Sequence, residues 1–297
     1  MAMETAVEFR TLASGSRSNS TLVRGACGGL LVDLGLGPRV LTERLAEAGV
    51  SGRTISAVIL SHTHSDHIQD ASLGWVSRER IVFYCHEGHA NGMRGRPGFE
   101  SLAERGLVRL YDERPFLTPG GTRVEPLRVA HDGGPTFGFR IEDGATRDGR
   151  VSIGYVSDAG CWTEELADAL VEVDLLAVEF NHDEYMQQCS GRSAVLIKRN
   201  LSDFGHLSNA QAAGFVRAIL ERSGRRTPRH LVLLHLSREC NRPELALETA
   251  RAAVRGCRRR VQVIASCAES VSPRIEVGRA RRVPNAAAKV ESCLITF

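Results

Sequence analysis

Apolar residues along this chain fall mostly into short runs broken by small polar residues, and only in a few places into helical spacing. Glu8–Leu12 alternates in the two-residue period of a strand, and the small, polar stretch Ala13–Ser20 reads as a turn. Thr21–Arg24 and Leu30–Leu34 read as paired strands joined through a turn containing Gly25, Gly28 and Gly29. Pro38–Ala48 places Val40, Leu41, Leu45 and Ala48 on one side of a helix, with Gly49 as its stop. Ala57–Leu60 is wholly apolar, as in a strand buried on both faces. Further strands are expected at Ile81–Cys85, Val124–Val129, Phe137–Ile141, Val151–Val156, Leu175–Phe180, Leu231–Leu236 and Gln262–Ala265. Helices are expected over Thr163–Ala169, Ser208–Glu221 and Pro243–Arg255. This order, strands first and then strand–helix alternation without an internal repeat, belongs to the mixed α/β class. Residues 279–289 are basic and aperiodic, so the expected division is one domain over residues 1–278 and a basic tail over 279–297.

Composition narrows the function classes. The chain has 297 residues, 42% of them hydrophobic and 25% charged, enough apolar material for a large core and too much for a disordered chain. No stretch reaches the roughly 18 apolar residues of a membrane helix, and the start lacks the pattern of a signal peptide. The eight cysteines are scattered, with Cys257 and Cys267 the closest pair, so a zinc knuckle and a disulfide framework are both excluded. A reducing cytoplasm is the expected location. The net charge of +3 conceals a split: residues 1–189 carry −9 and residues 190–297 carry +12, which hints at an anionic partner.

Metal chemistry enters with His62-Thr-His64-Ser-Asp66-His67, directly after the apolar run Ala57–Leu60. Three imidazoles and a carboxylate within six residues repel or desolvate one another unless a cation gathers them. His62 and His64 leave an extended segment on the same side and can chelate one ion, while Asp66 and His67 can serve a second. The remaining ligands should lie at other strand ends. His131 follows Val124–Val129, Asp158 ends a strand running into a turn, and His235 closes Leu231–Leu234. Singly, each reads as a hydrogen-bonded core or cap residue; with the histidine-rich loop, the ligand reading wins. His86 and His89 read as surface residues, and His230 as the start of a strand. His182 and Asp183 either line the site or brace a loop.

The order of this HxHxDH segment, a distant histidine, a strand-end aspartate and a final histidine resembles the metallo-β-lactamase fold across essentially the whole chain. That resemblance implies a four-layer αβ/βα sandwich with metals at one edge between the sheets. It assigns His62, His64 and His131 to one ion and Asp66, His67 and His235 to the other, with Asp158 bridging and Asp33 supporting the ligands from a strand end. Mixed His/Asp ligation suits two Zn²⁺ or Mn²⁺ ions better than Mg²⁺ or Ca²⁺. Within that fold, Leu12–Ser20, Phe180–Asp183, Leu196–Asn209 and His235–Ala246 resemble the YycJ/WalJ-like group of bacterial hydrolases. Met186–Val195 departs from that pattern by lacking a Tyr-Pro-Trp-like segment, and the basic tail has no counterpart in it.

The substrate class is read from Gly205-His206-Leu-Ser208-Asn209 and the strand-end Glu179. These resemble a segment of the phosphodiesterase branch in which a non-ligand His and Glu aid proton transfer to the leaving oxygen. The catalytic residues implied are therefore Asp66, Glu179 and His206, with His182 beside them. Lys198, Arg199, Ser208 and Asn209 are the candidate substrate contacts; the plainer reading is that Ser208 is a helix N-cap and His206 merely flanks it. Arg225-Arg226, Arg258–Arg260 and Arg281-Arg282 add to the positive half. Trp75, Trp162 and Phe204 could stack on bases, although core packing is the plainer expectation for each. The resemblance implies a DNA exonuclease, 5′-directed on duplex DNA and connected with mismatch repair, with DNA favoured over RNA as partner. The competing readings are a hydrolase of a small cyclic phosphodiester and a thioester or lactam hydrolase.

Overall fold

In the computed structural model, which describes residues 7–25, 28–143, 151–224, 226–257 and 259–278, the apolar runs assemble into two seven-stranded sheets. The first sheet contains β1 (Val7–Ala13), β2 (Ser20–Gly25), β3 (Gly28–Val32), β4 (Ile55–Ile59), β5 (Val82–His86) and β6 (Val108–Tyr111). The second contains β7 (Phe116–Leu117), β8 (Arg123–Val129), β9 (Thr136–Asp143), β10 (Val151–Val156), β11 (Leu175–Glu179), β12 (His230–Leu234) and β13 (Gln262–Ala265). A final strand, β14 (Ile275–Val277), returns to pair with β1. The strand orders are β14-β1-β2-β3-β4-β5-β6 and β13-β12-β11-β10-β9-β8-β7. In each sheet an antiparallel part passes into a parallel part, β3 through β6 in one and β10 through β13 in the other.

Neighbouring side chains show why these runs are apolar throughout. Leu30, Val32, Ala57 and Ile59 point between the sheets, where they meet Phe137, Phe139, Tyr155 and Ala177. Their alternates Leu31 and Val58 point outward, into a core completed by α1 (Pro38–Glu47), α2 (Asp70–Glu79) and α4 (Pro97–Glu104). Across the molecule, Leu176 and Val178 pack outward against α5 (Glu164–Ala169), α8 (Asn209–Arg222) and α9 (Pro243–Ala253). Both faces of each parallel strand are covered, so period-two alternation disappears and a four-layer αβ/βα sandwich results.

Three further helices are short: α3 (Glu87–Met93), α6 (Glu184–Gln188) and α7 (Ala194–Asn200). Among the described residues, no helix is long and apolar enough to cross a membrane. The carboxyl ends of β3, β4, β10, β11 and β12 deliver Asp33, His62, Asp158, Glu179 and His235 to one edge between the sheets. Ligand sites of open α/β sheets form at such strand ends. The basic tail, Arg225 and Arg258 lie outside the described residues.

Candidate metal centre and active site

Backbone geometry at this edge is unusual in the places where side chains must converge. Asp33, Asp158 and His235 adopt left-handed conformations, with φ of 64°, 51° and 53°. Such angles are costly for residues with a Cβ and persist where surrounding structure enforces them. Gly35 shows how closely the segments pack, because a Cβ there would stand 1.7 Å from the Asp66 carbonyl oxygen. Only glycine leaves room for the Asp66 loop.

Among the described residues three groups of possible ligands form: two hold the expected seven, and a third joins Asp158 and His235 to Glu179 and His206. The ligand atoms of His62, His64 and His131 lie within 4.8 Å of one another, as do those of Asp66, His67, Asp158 and His235. Asp158 reaches toward both, since its Oδ1 is 3.9 Å from His131 Nε2 and its Oδ2 is 2.9 Å from His67 Nε2. The sequence-derived set of seven thus converges from both sheets on one place.

Three of the imidazoles are aimed by their second nitrogen. Asp33 accepts from His67 Nδ1–H at 2.8 Å, and its position is fixed by the Ser61 amide at 2.7 Å and the Ser61 hydroxyl at 2.8 Å. His131 Nδ1–H donates to the Gly205 carbonyl at 2.8 Å, and His235 Nδ1–H to Glu179 Oε1 at 3.0 Å. In all three, Nε2 is left to face the centre, the arrangement that orients ligating histidines.

The donor set fits divalent cations. His62 Nε2 is buried without a hydrogen-bond partner, an expensive orphan unless its lone pair meets a cation. His131 Nε2 and His64 Nδ1 face each other at 3.2 Å. Burial, reinforced by neighbouring histidines, holds His62, His64 and His131 below the ordinary imidazole range, so all three are neutral and able to ligate. His67 and His235 behave oppositely. Burial opposes their protonation, but Asp158 and Asp33 raise His67 well above its usual value, and Asp158, Asp66 and Glu179 raise His235 to about 10. Their half of the centre is rich in carboxylate charge, which a cation would neutralise.

Next to these groups, His206 Nδ1–H donates to Glu179 Oε1 at 2.8 Å, and its ring lies 5.0 Å from that of His131. Glu179 Oε2 accepts from the Ala159 amide at 2.8 Å and the Leu207 amide at 3.2 Å. Burial alone would raise the Glu179 carboxyl, but His206 and His235 hold it down to about 2. The carboxylate is therefore ionised and immobile.

The candidate substrate contacts divide. Lys198 is exposed on α7, and Arg199 forms a two-pronged ion pair with Asp132 at 2.5 and 2.7 Å. Asp132 Oδ1 lies 3.6 Å from both His64 Nε2 and His131 Nε2, which places Arg199 at the rim of the metal groups. Ser208 and Asn209 are buried instead. The Ser208 hydroxyl caps α8 by accepting from the Gln211 amide and donates to Glu184, while the Asn209 and Asn241 amides bond reciprocally. These two residues brace the loop. His182 is fully buried, with both ring nitrogens unpartnered, and its backbone bridges to Ser208.

Several contributors carry no clear mark in the sequence. Asn19 places its amide 3.1 Å from Asp66 Oδ2, and Asn181 donates to the His235 carbonyl at 2.9 Å. Asn19 lies in the polar turn after β1 and Asn181 just past β11, in segments that resemble the YycJ/WalJ-like group without marking either asparagine for a role. Asp132 had a signal, adjacency to His131. His89 is 1% exposed, contrary to the surface position expected, because it closes the α3 capping box with His86.

Comparison with known proteins agrees with this geometry. A model of the beta-lactamase superfamily domain matches residues 30–236, well over half the chain. The chain belongs to the beta-lactamase superfamily. Exodeoxyribonuclease WalJ of Streptococcus pneumoniae is 31% identical over 245 residues, covering 82% of this chain and 86% of that protein. Ribonuclease Z of Mycobacterium bovis is 47% identical over 154 residues, but that match covers 43% of this chain and 53% of its partner. Among solved structures, the metallo-beta-lactamase fold protein YhfI from Bacillus subtilis superposes with a TM-score of 0.64 at 17% identity, over 90% of this chain and 99% of its own. Superfamily membership and a complete set of His/Asp donors make this protein a metal-dependent hydrolase.

Proposed function

We propose that the protein is a di-metal phosphodiesterase that acts as a DNA exonuclease. His62, His64 and His131 would hold one ion, Asp66, His67 and His235 the other, and Asp158 would be shared. Zn²⁺ and Mn²⁺ both suit this donor set. Bound there, the ions would neutralise charge on the phosphoryl oxygens and activate the attacking water. The observation that carries the phosphodiesterase reading is the His206–Glu179 pair beside the ligand groups. Glu179 fixes the ring with Nδ1–H inward, so that the doubly protonated ring would give its Nε2 proton to the departing sugar oxygen and be left neutral. An alkoxide leaves poorly without such a donor, whereas the thiolate released by a thioester hydrolase needs none. Arg199 at the rim, with Lys198 exposed next to it in α7, would supply cations for the flanking phosphates. DNA is favoured over RNA by the extended likeness to WalJ, which spans most of both chains, whereas the ribonuclease Z match spans less than half of this one.

The test is incubation of Mn²⁺- or Zn²⁺-loaded protein with end-labelled DNA and RNA, single- and double-stranded, beside a His206→Ala variant. The wild type should shorten DNA from an end, and the 5′ label should report the direction. His206→Ala should retain its metal while cleaving about 10²- to 10⁴-fold more slowly. Absence of polynucleotide cleavage would refute the nuclease reading, and an unslowed variant would remove His206 as proton donor.

A further inference from the structure

Of the three aromatic residues singled out as base-stacking candidates, two are spent in packing. Trp75 is 6% exposed in the outer core of the first sheet, and Trp162 stacks on Phe215 with ring centroids 5.5 Å apart. Phe204 is different, because it is 60% exposed.

Its position is set by the active site itself. The Phe204 carbonyl accepts from the Asp132 amide at 3.2 Å, the next carbonyl, of Gly205, holds His131, and the following residue is His206. The backbone beneath the ring is close-packed. A Cβ on Gly160 would stand 2.2 Å from the Asp203 carbonyl oxygen and 2.5 Å from the Phe204 amide nitrogen. The backbone that carries the ring is thus fixed in place, so a flat partner would meet little further backbone entropic cost. The Arg199 guanidinium is tied to Asp132, the same residue that donates to the Phe204 carbonyl. An exposed ring and a cation joined through one residue, Asp132, are the kind of pairing that grips single-stranded nucleic acid, the cation on the backbone and the ring on a base.

We propose that Phe204 is the stacking platform for the terminal base of the DNA strand whose scissile phosphate lies at the metal centre. The inference rests on the nuclease reading and deepens it, since it makes the end of the strand, with its base unpaired, the element recognised. A second copy of the chain is a poorer occupant. A twofold contact here would bring Lys198 and Arg199 of each copy toward their counterparts, and like charges disfavour that.

The test compares duplexes whose terminal nucleotide carries either a base or an abasic site, using metal-loaded wild type, Phe204→Ala and Phe204→Trp. Stacking of one base predicts a KM about ten-fold lower for the base-bearing end with the wild type. The Trp variant should keep that preference and the Ala variant should lose it. A phosphorothioate-linked duplex with terminal 2-aminopurine gives a readout independent of turnover: its fluorescence should be quenched by wild type and Phe204→Trp, and not by Phe204→Ala. An unchanged preference in Phe204→Ala overturns the inference and leaves the nuclease reading standing. A change of sedimentation coefficient in Phe204→Ala with its end preference retained overturns it in favour of a self-association surface. Failure of the wild type to cut any DNA removes the nuclease reading, and this inference with it.

Discussion

Single residues in this site are held by others whose own chemistry is silent. Asp33 occupies no expected ligand position, yet its carboxylate takes the Ser61 amide, the Ser61 hydroxyl and His67 Nδ1–H together. Asp33→Asn should therefore loosen His67 and weaken metal binding about 10- to 100-fold. Chelator competition followed by fluorescence measures this, and unaltered affinity would mean that His67 is positioned by packing alone. The histidines and aspartates of the metal groups were legible because imidazoles and carboxylates crowded so closely are costly in any fold that lacks a cation to gather them. Asn19 and Asn181 were not, because an asparagine in a polar turn or just past a strand looks the same whether its amide faces water or a ligand. Ser208 is open in sequence to both readings, substrate contact and helix cap, and in the structure its hydroxyl caps α8.

Elements follow the same rule, with visibility set by which side chains pack. Strands with both faces covered announced themselves as apolar runs, since both alternating sets are buried. Helix α2 did not, because its buried face includes Ser72 and Ser77 beside Leu73, Trp75 and Val76, which erases the apolar period. Helix α7 was hidden for a different reason: Val195 is 81% exposed and its one buried residue is Asn200, so no apolar stripe faces inward. At the α3 terminus, His89 Nδ1 accepts from the His86 amide and its Nε2–H donates to the Pro135 carbonyl. Burial lowers His89 to about 4. Between that value and the ordinary 6.5, the unfolded chain binds a proton that the folded chain does not. His89 should thus cost no stability above about pH 6.5. As pH falls toward 4 it should withdraw about 3 kcal/mol. Urea unfolding of metal-free wild type and His89→Gln at several pH values should show their stability difference shift by this amount in favour of the variant. A pH-independent difference would place the proton elsewhere.

At the scale of the whole molecule, part of the charge split along the sequence is spent in pairing across it. Arginines of the basic half reach back to carboxylates of the acidic half: Arg199 to Asp132, Arg222 to Glu164 and Asp168, and Arg226 to Asp174. These pairs are partly exposed, and of the three arginines Arg199 is the one that Asp132 places beside the metal groups. Arg199→Glu with Lys198→Glu should then weaken cleavage of long DNA far more than that of bis(p-nitrophenyl) phosphate, and should flatten the salt dependence. Equal losses on both substrates would point to a small phosphodiester as substrate. Beneath these expectations lies one arrangement, seven side chains from two sheets gathered in two adjoining groups, with Asp158 in one and reaching toward the other. Anomalous diffraction from crystals grown with Mn²⁺ or Zn²⁺ tests it directly. Two peaks are expected, one among His62, His64 and His131 and one among Asp66, His67 and His235, with Asp158 within coordinating distance of both. A single peak, or peaks away from these residues, would contradict it.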